Sequence, residues 1–268
     1  LLYAMLHLTG YDLSLEEIKK FRQWGSKTPG HPEYGLTPGV ETTTGPLGQG
    51  LMNSVGMAMA EAHLAAVYNR ENLAIVDHNT FVFCSDGDLM EGASHEAASL
   101  AGHFGLGKLI WIYDDNHITI EGETELTYSD DVAKRFAGYH WHVQDIGDRA
   151  NDFGAIESAL ALARRETEKP SLVIVRSHIG YGSPKFHDKP EAHGAPLGAE
   201  EVRQTKRVYG WPEDEDFFVP TEVFKHMTSA VERGAQLEQA WQEKLSVYRS
   251  KYPELGGRFE LALARRLP

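Results

Sequence analysis

Cysteine, basic charge and long apolar runs are all scarce in this sequence. Cys84 is the single cysteine in 268 residues. An intrachain disulfide and a cysteine-based zinc cluster are therefore excluded. Cys84 stands in an apolar run and reads as a small buried hydrophobe. A cytoplasmic location is expected, with an organelle left open. Lys and Arg number 26 against 39 Asp and Glu, a formal net charge of −13. That balance argues against nucleic acid and against an anionic membrane. A locally basic pocket could still take a phosphorylated substrate. No apolar run approaches the roughly eighteen residues that span a bilayer. An initiator Met is also missing. Leu1–Leu8 starts inside an apolar, helix-like run with no capping residue ahead of it. The expectation is that an upstream part lies before Leu1, so the lack of a leader says nothing.

What is present centres on residues 81–121. Two short runs rich in aromatic and β-branched residues, Phe81–Cys84 and Leu109–Tyr113, stop abruptly at carboxylates. Ser85-Asp86-Gly87-Asp88 follows the first and Asp114-Asp115-Asn116 the second. Helical apolar spacing lies between them. This predicts a parallel βαβ unit whose strands deliver oxygen ligands at their carboxyl ends. Ligands of open α/β sheets bind outside those ends. Asp86 and Asn116 would then be close in space and suit a hard cation such as Mg²⁺. Taken singly, Asp-Gly and Asp-Asn are also ordinary turns after a strand.

Hydrophobic content of 41% and charged content of 24% suit a soluble globular chain of this length. Ser14 and Glu17 have the spacing of a capping box. Residues 25–50 are too rich in Gly and Pro for a helix or central strand. A loop this long is usually functional or disordered, and Tyr34, Leu36, Val40 and Leu47 favour function. His31 in it reads, on pattern alone, as an exposed loop histidine. Residues 45–50, GPLGQG, open a helix and admit either a ligand or close packing. Leu51–Tyr68 is predicted helical and apolar all round, hence buried under other helices or in a subunit interface.

Further along, helices are predicted at Ser94–Phe104, with Glu91 and Glu96 flanking its start, after the capping Asp130-Asp131 through Phe136, and at Asn151–Thr167. The last would place Phe153, Ile156, Leu160 and Ala163 on one face. Strands are predicted at 143–146 and Ser171–Ser177, the latter a buried parallel strand. Residues 179–198 form a second Gly/Pro-rich loop with His187 and His193, followed by a helix over 198–209. Trp211–Asp216 is expected as a solvated acidic turn. Thr221–Tyr248 reads as one long helix ended by Pro253 and Gly256-Gly257, with a short helix over Phe259–Leu267. The expected organisation is α/β: a parallel β-sheet sandwiched by helices over 1–220, then a helical connector over 221–268.

These motifs resemble the first domain of transketolase, and the resemblance covers nearly the whole chain. It is carried by Ser85-Asp86-Gly87 with Asp115-Asn116, by TPGHPE around His31, by TTTGPLGQG at 42–50 and by HGAPLG from His193. It implies a thiamine diphosphate-binding fold. It implies that Asp86, Asn116 and the Ile118 carbonyl hold Mg²⁺, with Ca²⁺ or another divalent cation as substitutes. Gly87 and Asn116 would meet the diphosphate, and Gly45 and Leu47 the cofactor rings. His31 and His193 would face the reacting centre, binding substrate hydroxyls or moving protons. Glu91 and Glu96 would join a carboxylate network at a homodimer interface.

The implied reaction, part of the pentose phosphate pathway, moves a two-carbon ketol unit between sugar phosphates. A second domain, lying after Pro268 in the family, would complete the site from the partner subunit, leaving this stretch inactive alone. Ser85 departs from the family's first Gly. A related thiamine diphosphate synthase, such as dihydroxyacetone synthase, and a non-catalytic assembly or regulatory module remain as alternatives.

Overall fold

The structure is a computed structural model describing residues 1–266. In chain order its helices are α1 (Leu2–Leu8), α2 (Leu15–Lys19), α3 (Gln49–Tyr68), α4 (Asp86–Met90), α5 (Gly92–His103), α6 (Val132–Gly138), α7 (Phe153–Arg165), α8 (Glu191–Gly194), α9 (Ala199–Val208), α10 (Thr221–Lys251) and α11 (Pro253–Leu263). The strands are β1 (Thr80–Ser85), β2 (Leu109–Asp115), β3 (His142–Asp145) and β4 (Ser171–Arg176). The chain divides into two compact units. The first comprises Leu1–Gly45, Ala60–Asp77 and the segment from Val219 onward; the second comprises Pro46–Met59 and His78–Phe218.

The second unit holds a parallel sheet in the order β1-β2-β4-β3. In its inner strands, LIWIYDD and SLVIVR, most positions are buried. A strand covered on both faces needs an unbroken apolar run, which these two supply. Successive side chains point to opposite faces. Leu109, Trp111, Tyr113, Leu172 and Ile174 join one cluster with Phe136, Trp141 and the α3 residues Leu51, Val55 and Ala58. Ile110, Val173 and Val175 join the other, with Ala159 and Ala163 of α7. Each Val, Leu or Ile side chain among them removed from water contributes about 1.5–3 kcal/mol. Both indole N–H groups of the first cluster are partnered. Trp111 Nε1 donates to Ser54 Oγ at 3.0 Å, and Trp141 Nε1 to the Ala98 carbonyl at 2.8 Å.

The first unit is held by the ends of helices. Tyr68, Leu73, Ile75, Val76, Leu245, Tyr248 and Phe259 form its main core. The Tyr248 hydroxyl donates to the Tyr68 carbonyl at 2.6 Å, and Trp241 Nε1 to Ile75 at 2.9 Å.

Several expectations need correction. The Ser14 hydroxyl accepts from Glu17 N–H at 3.3 Å, but Glu17 Oε2 accepts from Lys27 N–H at 2.8 Å instead of closing the box. The apolar α3 is covered on one side only. Met52, Met57 and Met59 stay exposed, because burial follows the face that carries Leu51, Val55 and Ala58. Phe153 is exposed, since it starts α7 before the helix reaches the sheet. Pro253 ends α10 but opens α11, where its missing N–H costs nothing, and Gly256-Gly257 lie inside that helix. Phe224, Val231 and Leu237 of α10 are exposed, because burial falls on its last turns, at Leu245 and Tyr248. Leu267, the last residue expected in the final helix, lies outside the described residues. No described helix is long and apolar enough to cross a membrane.

Candidate cofactor and metal site

The site begins at the carboxyl ends of β1 and β2. Parallel pairing sets Ser85 opposite Asp114, so Asp86 and Asn116 leave adjacent strands. The Asp86-Gly87-Asp88 segment, expected as a simple turn, is the first turn of α4. Ser85 precedes it in an extended conformation that any residue adopts, so its hydroxymethyl group imposes no backbone strain there.

Asp86 is 1% exposed. A carboxylate this buried must be partnered. The Tyr113 hydroxyl donates to its Oδ1 at 2.5 Å, and His117 N–H donates to its Oδ2 at 3.1 Å. His117 reaches that position at a φ of 63°, a left-handed conformation costing about 1–2 kcal/mol. Burial pushes the Asp86 carboxyl above the ordinary carboxylate range, against the pull of these donors. Burial, then Asp86 and Asp115, raise the Tyr113 phenol far above its usual value, so it remains a donor.

Asn116 is buried as well. Its Oδ1 accepts from Ile118 N–H at 2.9 Å and its Nδ2 donates to Asp114 Oδ2 at 3.2 Å. These bonds fix which end of the amide is oxygen. The short bridge between Ile118 and Glu123 uses the His117 carbonyl and Thr119 N–H, so the Ile118 carbonyl stays outside it. Carboxylate, amide oxygen and backbone carbonyl would offer an all-oxygen donor set, of the chemistry that fits Mg²⁺ or Ca²⁺ and disfavours soft metals. A cleft of about 330 Å³ opens on Asp86, lined also by Tyr113, Asp115 and His117.

The glycine-rich segments contribute shape. In the second unit, Gly48 has a φ of +76°, and a Cβ there would lie 2.6 Å from Ser94 Oγ. Its N–H donates to Asp88 Oδ1 at 2.8 Å, while Ser85 N–H donates to Asp88 Oδ2 at 3.0 Å. Asp88 thereby ties the GPLGQG turn to the end of β1. Leu47 lies against Gly87, where a Cβ would stand 3.3 Å from Leu47 Cδ2. In the first unit, Gly45 faces His31, and a Cβ there would lie 2.5 Å from the His31 ring.

A family model described as transketolase, thiamine diphosphate binding domain, matches residues 1–268. The chain belongs to the transketolase family. The transketolase of Halalkalibacterium halodurans is 54% identical over 268 residues, covering 100% of this chain and 40% of that protein. Transketolase 2 of Escherichia coli is likewise 54% identical, with the same coverage. Among solved structures, a Pichia stipitis transketolase in complex with sedoheptulose-7-phosphate superposes with a TM-score of 0.97 at 47% identity, covering 100% of this chain and 39% of that one. Transketolase from Leishmania mexicana gives 0.97 at 42%, covering 100% and 40%. The chain thus spans about two fifths of the length of these transketolases.

Of the residues singled out from sequence, Asp86, Gly87, Asn116 and Ile118 gather at the β1/β2 end, with Leu47 against Gly87. His31 and Gly45 meet in the first unit. His193 sits in the short helix α8, where an open loop was expected, and its side chain is exposed. Glu91 and Glu96 are exposed, with Glu91 beside Gly48. Tyr113, Asp88, Gly48 and the His117 backbone carried no assigned role in the sequence, although all of them organise the β1/β2 strand ends. Alternation along β2 was the available signal for Tyr113, since it puts that ring on the face of Trp111.

Proposed function

We propose that this chain is the cofactor-anchoring part of a transketolase that transfers a two-carbon ketol unit from a ketose phosphate to an aldose phosphate. One observation carries the reading. A fully buried Asp86, held by Tyr113 and His117, stands with a fixed Asn116 amide at neighbouring strand ends in a transketolase-family chain. Asp86 Oδ, Asn116 Oδ1 and the Ile118 carbonyl would hold Mg²⁺, and Gly87 and Asn116 would meet the diphosphate. Gly45 and Leu47 would shape the space beside the rings. Thiamine diphosphate, when bound, supplies the nucleophilic carbon for cleaving and remaking the ketose carbon–carbon bond. His31 and His193 would bind sugar hydroxyls and move their protons, since imidazole both donates and accepts near neutral pH.

The complex of the Pichia relative with sedoheptulose-7-phosphate supports sugar phosphates as substrates. The exposed Met face of α3 and the exposed Glu91 and Glu96 support a homodimer interface. There the partner's second domain, reached beyond the 221–268 connector, would complete the site. The single buried cysteine supports a reducing compartment, the cytoplasm.

The test uses the intact protein. Thiamine diphosphate plus Mg²⁺ should raise its thermal midpoint, by the equivalent of about 2.7 kcal/mol at a hundredfold excess over Kd. Chelator should remove that gain, and ketol transfer between sugar phosphates should require both additions. Transfer that survives thorough removal of the cofactor would overturn the proposal.

A further inference from the structure

The carboxyl ends of β4 and β3 carry a second cluster that the proposed reaction does not use. His178 follows β4 and Asp148 follows β3, while His187 and Asp188 come from the loop beyond β4. His178 Nδ1 lies 2.8 Å from Asp188 Oδ2, and His187 Nε2 lies 3.5 Å from the same oxygen. The two imidazoles stack with centroids 5.1 Å apart and planes 20° apart. One ligand atom from each of His178, His187 and Asp188 falls within 4.8 Å of the others. Ligands about 2.0–2.1 Å from a tetrahedral zinc stand about 3.3 Å from one another, so small side-chain rotations close this set on one ion.

Three further features accompany this set. His178 Nε2 lies 3.0 Å from Asp148 Oδ1. A metal-bound histidine donates its remote N–H to a carboxylate in this way, fixing the tautomer that leaves the other nitrogen free to ligate. Asp188 is turned toward the rings at a φ of 54°, with its N–H bonded to the Ile179 carbonyl at 2.9 Å. Its Oδ1 is buried without a hydrogen-bond partner. A proton shared between His178 and Asp188 would leave both that oxygen and the His187 nitrogen unused. A dication held by both imidazoles and by the carboxylate in bidentate fashion would use all of them.

We propose that His178 Nδ1, His187 Nε2 and the Asp188 carboxylate bind a zinc-class transition metal ion, with water as fourth ligand and Asp148 orienting His178. Two imidazoles and a carboxylate match Zn²⁺ and not Mg²⁺, which wants an all-oxygen octahedron. The bound ion braces the loop that leads from β4 to His193. The proposal stands apart from the ketol-transfer reading and survives its failure.

The test is equilibrium dialysis of the chelator-stripped intact protein against Zn²⁺ in saturating Mg²⁺. One equivalent should be retained at low-micromolar free Zn²⁺, and Co²⁺ in its place should give the intense visible bands of four-coordinate cobalt. Asp148→Asn should weaken Zn²⁺ binding about 10–100-fold, and His187→Ala should weaken it further. Failure of the unmodified protein to retain Zn²⁺, six-coordinate cobalt bands, or unchanged binding in His187→Ala would each overturn the proposal.

Discussion

Two strand-end pairs of the same sheet present opposite ligand chemistry. At β1/β2 the groups are oxygens, buried, each held by a neighbour: Asp86 by Tyr113 and His117, Asn116 by Ile118 and Asp114. At β4/β3 two imidazoles and two carboxylates meet, and the side chains of His178, His187 and Asp188 are 26%, 40% and 37% exposed. Topology treats both pairs alike, because parallel strands release their next residues on one edge of the sheet. Residue type and burial make the difference. A buried all-oxygen set favours a hard cation with a phosphate co-ligand. A half-exposed imidazole set favours zinc-class ions.

The largest effect that could break this comparison comes from Asp86→Ala in the intact protein. It removes the anionic oxygen ligand and leaves the His117 N–H without its acceptor, while the Tyr113 hydroxyl keeps Asp115 Oδ1 at 3.0 Å. That orphaned donor costs about 1–3 kcal/mol. Calorimetry should find thiamine diphosphate and Mg²⁺ affinity down by more than about a hundredfold, beyond the range for outer-shell residues. Zn²⁺ retention should be unaltered. Unchanged cofactor affinity would remove Asp86 from the anchor.

His193→Ala tests the contrast between held and unheld groups. The exposed His193 ring supports no described packing cluster. Stability should stay within about 0.5 kcal/mol, while kcat/KM for ketol transfer should fall about 10²–10⁴-fold, as expected for a lost proton-transfer group. A large stability loss with little kinetic change would make the residue structural.

The difference in how these places read from sequence is physical. Strands β1, β2 and β4 were legible because their apolar runs are continuous and end at charge. Asp86 and Asn116 followed as the residues just past them. Tyr113 was hidden inside a run that reads as core, since its hydroxyl finds Asp86 only through the β1/β2 register. Asp88 looked like a turn residue, although it bonds Gly48 forty positions upstream. His178 and Asp148 meet because β3 pairs with the far side of β4. Strand order of that kind is written in no local pattern. Nor does Pro253 announce whether it ends one helix or starts the next; it does both.

A smaller effect sharpens the β1/β2 side. Tyr113→Phe keeps the ring in its cluster and deletes the donor to Asp86 Oδ1. Mg²⁺-dependent cofactor affinity should fall about 10–100-fold, the usual consequence of losing an outer-shell partner. The buried acceptor left behind should lower stability of the metal-free protein by about 1–3 kcal/mol, measured by urea denaturation. Wild-type affinity in this variant would show that Asp86 is positioned by the His117 N–H alone.

The smallest predicted effect concerns how firmly the β4 side is held. Glu201 on α9 is buried and accepts from the Ser183 hydroxyl and from Lys185 N–H at 2.8 Å. Ser183 Oγ in turn accepts from Phe186 N–H at 3.0 Å, one residue before His187. The Ser183 and Lys185 hydrogen bonds hold the Glu201 carboxyl below its ordinary range. A depressed carboxyl stabilises the folded state fully above its unfolded pKa of about 4.3, and that contribution fades as pH falls through the lower folded value. Glu201→Gln keeps an acceptor but loses the charge. In metal-free protein its thermal midpoint should lie below wild type at neutral pH, and the gap should narrow as pH is lowered past about 4. Amide exchange at Lys185 and Phe186 should quicken in the variant at neutral pH, because the loop presenting His187 and Asp188 loses its charged anchor. An equal gap at both pH values would mean that the Glu201 charge does not pin this loop, leaving β4/β3 the slacker of the two strand ends.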